Sequence, residues 1–204
     1  MKRFYEERAS WRNPKEENMR FKKATRLANI PKVKCGNELR LTKVLDIGCR
    51  NGSLRKYLDE NLIYYGIDLV DTFRTKDISI QDITEGTDFT DGFFDYVFCI
   101  DVLEHLKNPF FVLSEINRIL KNRGILILSV PNPYHFKEII WNLFGVEDRQ
   151  GHMFSWTKQT MQRLAGFCGF CIVEMSGTYL VPSIGCNGLL ARSIIYKFFK
   201  NGEP

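Results

Sequence analysis

Val44-Leu45-Asp46-Ile47-Gly48-Cys49-Arg50-Asn51-Gly52-Ser53-Leu54 passes from a short apolar run through a glycine-containing bend into a helical stretch, Ser53–Glu60. Glycines at such a bend let backbone come close to a ligand, and the first N–H groups of a following helix face the same cleft. The next apolar run, Leu62–Ile67, also ends on an acid, Asp68. A carboxylate there suits a ribose diol, because it accepts from both hydroxyls. Ligands of open α/β sheets lie at the carboxyl ends of the strands, so both acids stand where a ligand is expected.

Outward from this stretch, short apolar runs alternate with helical ones. Thr42–Ile47, Leu62–Ile67, Ile78–Gln81, Phe94–Ile100 and Gly124–Val130 read as strands, and Ser53–Glu60 and Pro109–Leu120 as helices. Continuous apolar runs such as Tyr96–Ile100 are typical of strands covered on both faces. Strands separated by helices imply parallel pairing through right-handed crossovers. Beyond Pro131 a helix over Tyr134–Phe144 carries Phe136, Ile139, Ile140, Trp141 and Leu143; a loop leads to Trp156, then a helix Thr157–Ala165 and a strand Cys171–Met175. Leu189–Phe199 reads equally as helix or strand. At the other end, Pro14–Ile30 reads as a helix whose sparse apolar residues, Met19, Phe21, Leu27 and Ile30, place it on the domain's edge.

The 204 residues, 44% hydrophobic and 26% charged, suit one soluble globular domain with short extensions and exclude collagen-like, disordered and disulfide-scaffold classes. The expected division is a basic helical extension over residues 1–40 and an α/β domain over 41–204. No apolar run approaches the roughly 18 residues of a membrane span, and Met1–Glu7 lacks the apolar core of a secretory signal. Six scattered cysteines (35, 49, 99, 168, 171 and 186) predict reduced thiols and a cytoplasmic location. The net charge of +5 is uneven: residues 1–43 hold thirteen Lys/Arg against five Asp/Glu. This basic arm is either a solvated helix face or a contact for phosphate, nucleic acid or an anionic membrane surface.

A nicotinamide fingerprint G-x-G-x-x-G fails, since Arg50 and Ser53 stand at its second and third glycines, and there is no G-x-x-x-x-G-K-[ST]. Residues 46–52 instead resemble the strand-one motif of class I S-adenosylmethionine-dependent methyltransferases: acid, apolar, Gly, small, Gly, any, Gly. Gln81-Asp82-Ile83 is similar to the family's strand-three end, Phe93–Leu106 to its strand four and following turn, and Asn117–Leu126 to its helix-turn-strand five. Ser129-Val130-Pro131-Asn132, His152-Met153-Phe154-Ser155 and Gly166-Phe167 resemble a MetW-like branch with glycan- or lipid-associated members. The similarity covers roughly residues 42–176. One departure is Arg50, where the family has its middle glycine.

The resemblance implies a Rossmann-like, doubly wound, mostly parallel seven-stranded sheet in the order 3-2-1-4-5-7-6 with helices on both faces. It implies S-adenosylmethionine as cofactor and S-adenosylhomocysteine as product, with no metal. The residues expected at the cofactor are Asp46, Gly48, Cys49, Arg50, Asn51, Gly52, Asp68, Leu69, Asp82, Ile83, Ile100 and Asp101. Asp82 is assigned to the adenine's exocyclic amine, and Arg50 turns outward or pairs with the cofactor's carboxylate. His105, just beyond strand four, is the candidate catalytic base for a hydroxyl acceptor, with a fixed turn as the competing role. Tyr134, His135 and His152 are candidates for acceptor binding, and segments 131–157 and 177–192 for acceptor-side elements. Glu104 reads as a solvated or capping group, and Cys168-Gly169-Phe170-Cys171 as structural cysteines. Pro131-Asn132-Pro133-Tyr134 follows strand five, which argues against base methylation of nucleic acid.

The expected activity is methyl transfer to a small-molecule, saccharide or lipid-linked acceptor by a monomer or homodimer. The alternatives are a cofactor-binding partner protein without turnover, motivated by Arg50, and an RNA methyltransferase, motivated by the basic arm.

Overall fold

The computed structural model describes residues 14–31, 41–71, 74–146, 151–178 and 190–201. Its strands are β1 (Lys43–Ile47), β2 (Ile63–Asp68), β3 (Ile78–Ile80), β4 (Phe94–Ile100), β5 (Leu120–Pro131), β6 (Phe170–Gly177) and β7 (Ser193–Lys200). They form one sheet in the order β3-β2-β1-β4-β5-β7-β6. Strands β1 to β5 run parallel, whereas β7 is antiparallel to both its neighbours. The undecided tail is therefore a strand, set between β5 and β6.

Among the described residues, four helices flank the sheet: α1 (Pro14–Ala28), α2 (Pro109–Ile119), α3 (Phe136–Leu143) and α4 (Lys158–Phe167). Because side chains alternate along a strand, the sheet feeds two cores. Leu45, Ile47, Val97, Cys99, Leu126 and Leu128 pack with Val112, Leu113 and Ile116 of α2 and with Met161 of α4. Val44, Phe98, Ile100 and Ile127 pack on the opposite face with Phe21, Ala24, Leu27 and Ala28 of α1. Each large aliphatic buried this way stabilises by about 1.5–3 kcal/mol.

Two elements depart from expectation. Helix α1 lies across a face of the sheet, not on its edge: Ala24 and Ala28 are fully buried and complete a stripe that the large residues alone understate. The expected helix Ser53–Glu60 is a single 3-10 turn, Ser53–Tyr57, closed by Leu58 N–H donating to Arg55 O. It buries only Leu54, so nothing recruits further turns before the chain enters β2.

Residues 1–13 and 32–40 of the basic arm, residues 179–189 of the expected acceptor-side segment, and Cys35 and Cys186 lie outside the described residues. No helix among the described residues is long and apolar enough to cross a membrane. Cys168 is buried and Cys171 exposed, both free thiols where α4 passes into β6.

Candidate functional site

The carboxyl ends of β1, β2 and β4 meet on the α1 side of the sheet. Asp46, at 3% exposure, accepts a hydrogen bond of 2.8 Å from the Tyr64 hydroxyl. Burial pushes its carboxyl up to about 7; the Tyr64 bond works against this, and the charges of Asp68 and Glu17 add to it. Asp68 accepts the Arg50 N–H on one oxygen (2.8 Å) and the Val70 N–H on the other (2.9 Å). Each oxygen retains a lone pair for a ligand hydroxyl.

The bend between the two acids is wound through positive φ at Gly48 (68°), Arg50 (50°) and Gly52 (71°). The Gly48 and Cys49 N–H groups both donate to Ile67 O, at 2.9 and 3.2 Å. A Cβ on Gly48 would lie 2.5 Å from Val102 Cγ2, so the bend sits directly against the loop that leaves β4. The Arg50 guanidinium leaves the bend toward α1, 3.9 Å from Glu17. Cys49 is buried, and burial raises its thiol pKa far above the usual value. Asn51 accepts from the Ser53 hydroxyl at the surface.

Helix α1 reaches over these strand ends. Arg20 pairs with Asp101 at 2.5 Å, and the Ser129 hydroxyl donates to the other Asp101 oxygen at 2.5 Å. Glu16 pairs with Arg192 just before β7, and Lys23 donates to Gly177 O at 2.8 Å. Sequence reading missed Glu17, Arg20, Tyr64 and Ser129. The one available signal was that Glu17 and Arg20 flank the buried stripe of α1, one turn apart.

Other expected cofactor residues are spread more widely. Asp82, at the end of β3, caps the 3-10 turn Ile83–Glu85 by accepting from Thr84 N–H (2.9 Å) and its hydroxyl (2.6 Å). Ile83 is buried in the core on the α2 side and Ile100 in the core on the α1 side, while Leu69 is half-buried beside Asp68.

A second group gathers beyond β4. Glu104 and His105 lie in a 3-10 turn, Leu103–His105. Glu104 is fully buried, which corrects its reading as a solvated or capping group. Its carbonyl accepts from Met153 N–H (2.8 Å) and Phe154 N–H (3.3 Å), so a distant loop folds back over it. That loop sets His152 against His105, with ring centroids 4.9 Å apart. His105 Nδ1 lies 3.2 Å from Gly151 O, and Nε2 lies 3.9 Å from Glu104 Oε1.

His135 and Tyr134 take different places. His135, at 5% exposure, caps α3 by accepting from Lys137 N–H, and burial with nearby Arg192 and Lys137 holds its pKa below the ordinary value. Tyr134 is exposed at the start of α3. The helix itself buries no residue: Phe136, Ile139, Ile140, Leu143 and Phe144 form an exposed stripe at the carboxyl end of β5, with Trp141 alongside.

A family described as "Methyltransferase domain" matches residues 7–175. An uncharacterized protein of Methanocaldococcus jannaschii is 37% identical over 145 residues, covering 69% of this chain and 60% of that protein. A ubiquinone biosynthesis O-methyltransferase of Glaesserella parasuis is 31% identical over 107 residues, covering 44% of this chain and 45% of that protein. The chain thus spans less than two thirds of the length of either curated relative. Among solved structures, a SAM-dependent methyltransferase from Archaeoglobus fulgidus is similar with a TM-score of 0.69, at 18% identity, over 97% of this chain and 99% of that one.

Proposed function

The chain belongs to the class I S-adenosylmethionine-dependent methyltransferases, and from that premise we propose that it methylates an oxygen on an apolar, lipid-linked acceptor. The donor set fits the cofactor: carboxylates close β1, β2 and β3, and Asp68 keeps lone pairs beyond its two backbone N–H partners. Asp68 would hold the ribose hydroxyls and Asp82 the adenine amine. The bend Gly48–Gly52 would pass under the amino-acid half, whose positive charges suit Asp46. Asp101 positions Arg20, and through it α1, over the same cleft.

When bound, the cofactor would supply a methyl group from its sulfonium to the acceptor oxygen, and His105 would take the proton that the oxygen gives up. Positioning and exclusion of water carry most of such a displacement. Glu104, His105 and His152, gathered beyond the end of β4, would face the acceptor oxygen.

The exposed apolar stripe of α3 carries the acceptor assignment. Four large apolar side chains on one face of α3, continued by Phe144, form a surface at the end of β5 that fits an acyl or prenyl chain better than a sugar. The O-methyl transfer of the Glaesserella parasuis relative supports oxygen as the acceptor atom. The RNA alternative draws less support. Within α1, Arg20 turns into the cleft toward Asp101 and Lys23 is bound to Gly177 O, which removes two cations from the outward face. The partner-protein alternative draws less support, because the Arg50 guanidinium lies 3.9 Å from Glu17 of α1.

The test uses cofactor labelled in its methyl group, incubated with the chain and with organic-soluble, aqueous and RNA fractions separately. Label is expected in the organic-soluble fraction. Incorporation confined to RNA or to water-soluble compounds would overturn the lipid assignment.

A further inference from the structure

We propose that Glu104, His105 and His152 form a binding site for a divalent cation of the zinc or manganese class beyond the carboxyl end of β4. One ligand atom from each residue, a carboxylate oxygen and two imidazole nitrogens, lies within 4.8 Å of the others. A tetrahedral zinc site holds its ligand atoms about 3.4 Å apart, so modest side-chain settling closes the group around an ion.

Three features go beyond mere proximity. First, the tautomer of His105 is set: a carbonyl only accepts, so Nδ1, 3.2 Å from Gly151 O, carries the proton and Nε2 keeps its lone pair. Histidines that bind metals are held in this way, one nitrogen donating to a backbone or carboxylate oxygen while the other ligates. Second, the group is framed by backbone. Met153 and Phe154 donate to Glu104 O on one side of His152, and Gly151 receives His105 on the other. Third, the Glu104 carboxylate is 1% exposed. With so little water around it, that carboxylate attracts a cation more strongly than it would at the surface.

The ligand chemistry selects the ion. Two nitrogens and one oxygen suit zinc, cobalt, iron or manganese better than magnesium or calcium. Three protein ligands leave a coordination position open. What fills it rests on the proposed O-methylation: an acceptor hydroxyl bound to the ion would lose its proton more readily. Cation binding itself does not depend on that reading.

The experiment takes the full chain, stripped with a chelator and titrated with cobalt(II) without cofactor or acceptor. Uptake of one equivalent with ligand-field absorption is expected, and zinc should displace it. Glu104→Gln and His152→Ala should each weaken cobalt affinity at least about tenfold, while S-adenosylmethionine affinity, titrated in parallel, stays as in wild type. If buried Glu104 does not tolerate replacement, half-buried His152 carries the comparison. No stoichiometric uptake by the wild-type chain, or equal affinity in the variants, would overturn the site. A chain that binds cobalt but not S-adenosylmethionine would instead overturn the proposed reaction and leave the site standing.

Discussion

The guanidinium of Arg20 stands 2.5 Å from the carboxylate of Asp101, tying α1 to the end of β4. The two side chains are only 18% and 8% exposed. Removing one member of such a pair leaves the other stranded away from water, at a cost of about 3 kcal/mol. Arg20→Ala is expected to lose that much in urea unfolding. The double variant Arg20→Met, Asp101→Asn should lose less than the sum of the single variants, because no unpaired charge remains. Strictly additive losses would show that the contact carries no energy.

Gly48 joins two demands, a φ of 68° and a Cβ position 2.5 Å from Val102 Cγ2. Gly48→Ala should destabilise the chain by more than the roughly 1–2 kcal/mol of the left-handed backbone alone and abolish measurable S-adenosylmethionine binding. Adding Val102→Ala should return the steric part and leave the backbone part. A thermal melt of Gly48→Ala that matches wild type would refute this account of the bend.

Asp46 sets a pH dependence. Its carboxyl is raised from 3.8 to about 7 in the folded chain, so the folded state holds a proton that the unfolded state releases. The stability this contributes is complete below the unfolded value and is lost as pH rises through about 7, at most about 4 kcal/mol. Asp46→Asn keeps an acceptor for Tyr64 and carries no charge, so its melting temperature should fall less on the alkaline side than that of wild type. The cofactor's cationic half favours the ionised acid. S-adenosylmethionine affinity should therefore increase with pH through neutrality in wild type and stay flat in the variant. Parallel melting profiles for the two proteins would remove Asp46 from this role.

On α3, Ile140 and Leu143 are 47% and 76% exposed. Replacing both by Glu should move stability by no more than about 0.5 kcal/mol each and leave cofactor affinity unchanged. Transfer of methyl label into the organic-soluble fraction should nevertheless drop by about tenfold or more, equivalent to 1.4 kcal/mol. Undiminished transfer would show that the stripe does not receive the acceptor.

The sheet was legible where strands are covered on both faces. Phe94–Ile100 reads as one apolar run because α1 and α2 bury its alternate sides. The tail was not, for the same physical reason. Ser193–Tyr196 and Phe198 are buried, on both faces of the strand, so the segment shows no clear alternation to separate strand from helix. Asp46 and Asp68 fall at the carboxyl ends of β1 and β2 as read, because each follows an apolar run that forms a strand. Glu104 was misread because its burial depends on Met153 and Phe154 donating to it from a distant loop, which no local pattern records. Arg20 was counted in a solvated basic arm because its partner, Asp101, lies on another element.

The placement of β7 between β5 and β6 bears on how the chain is made. During synthesis β6 leaves the ribosome before β7, the strand it pairs with. Until Ser193–Lys200 emerges, the outer side of β5 is an unsealed hydrogen-bonding edge and β6 has no berth. The nascent protein therefore passes through a sticky five-stranded stage, and its yield in cells should depend on chaperones that shelter that edge.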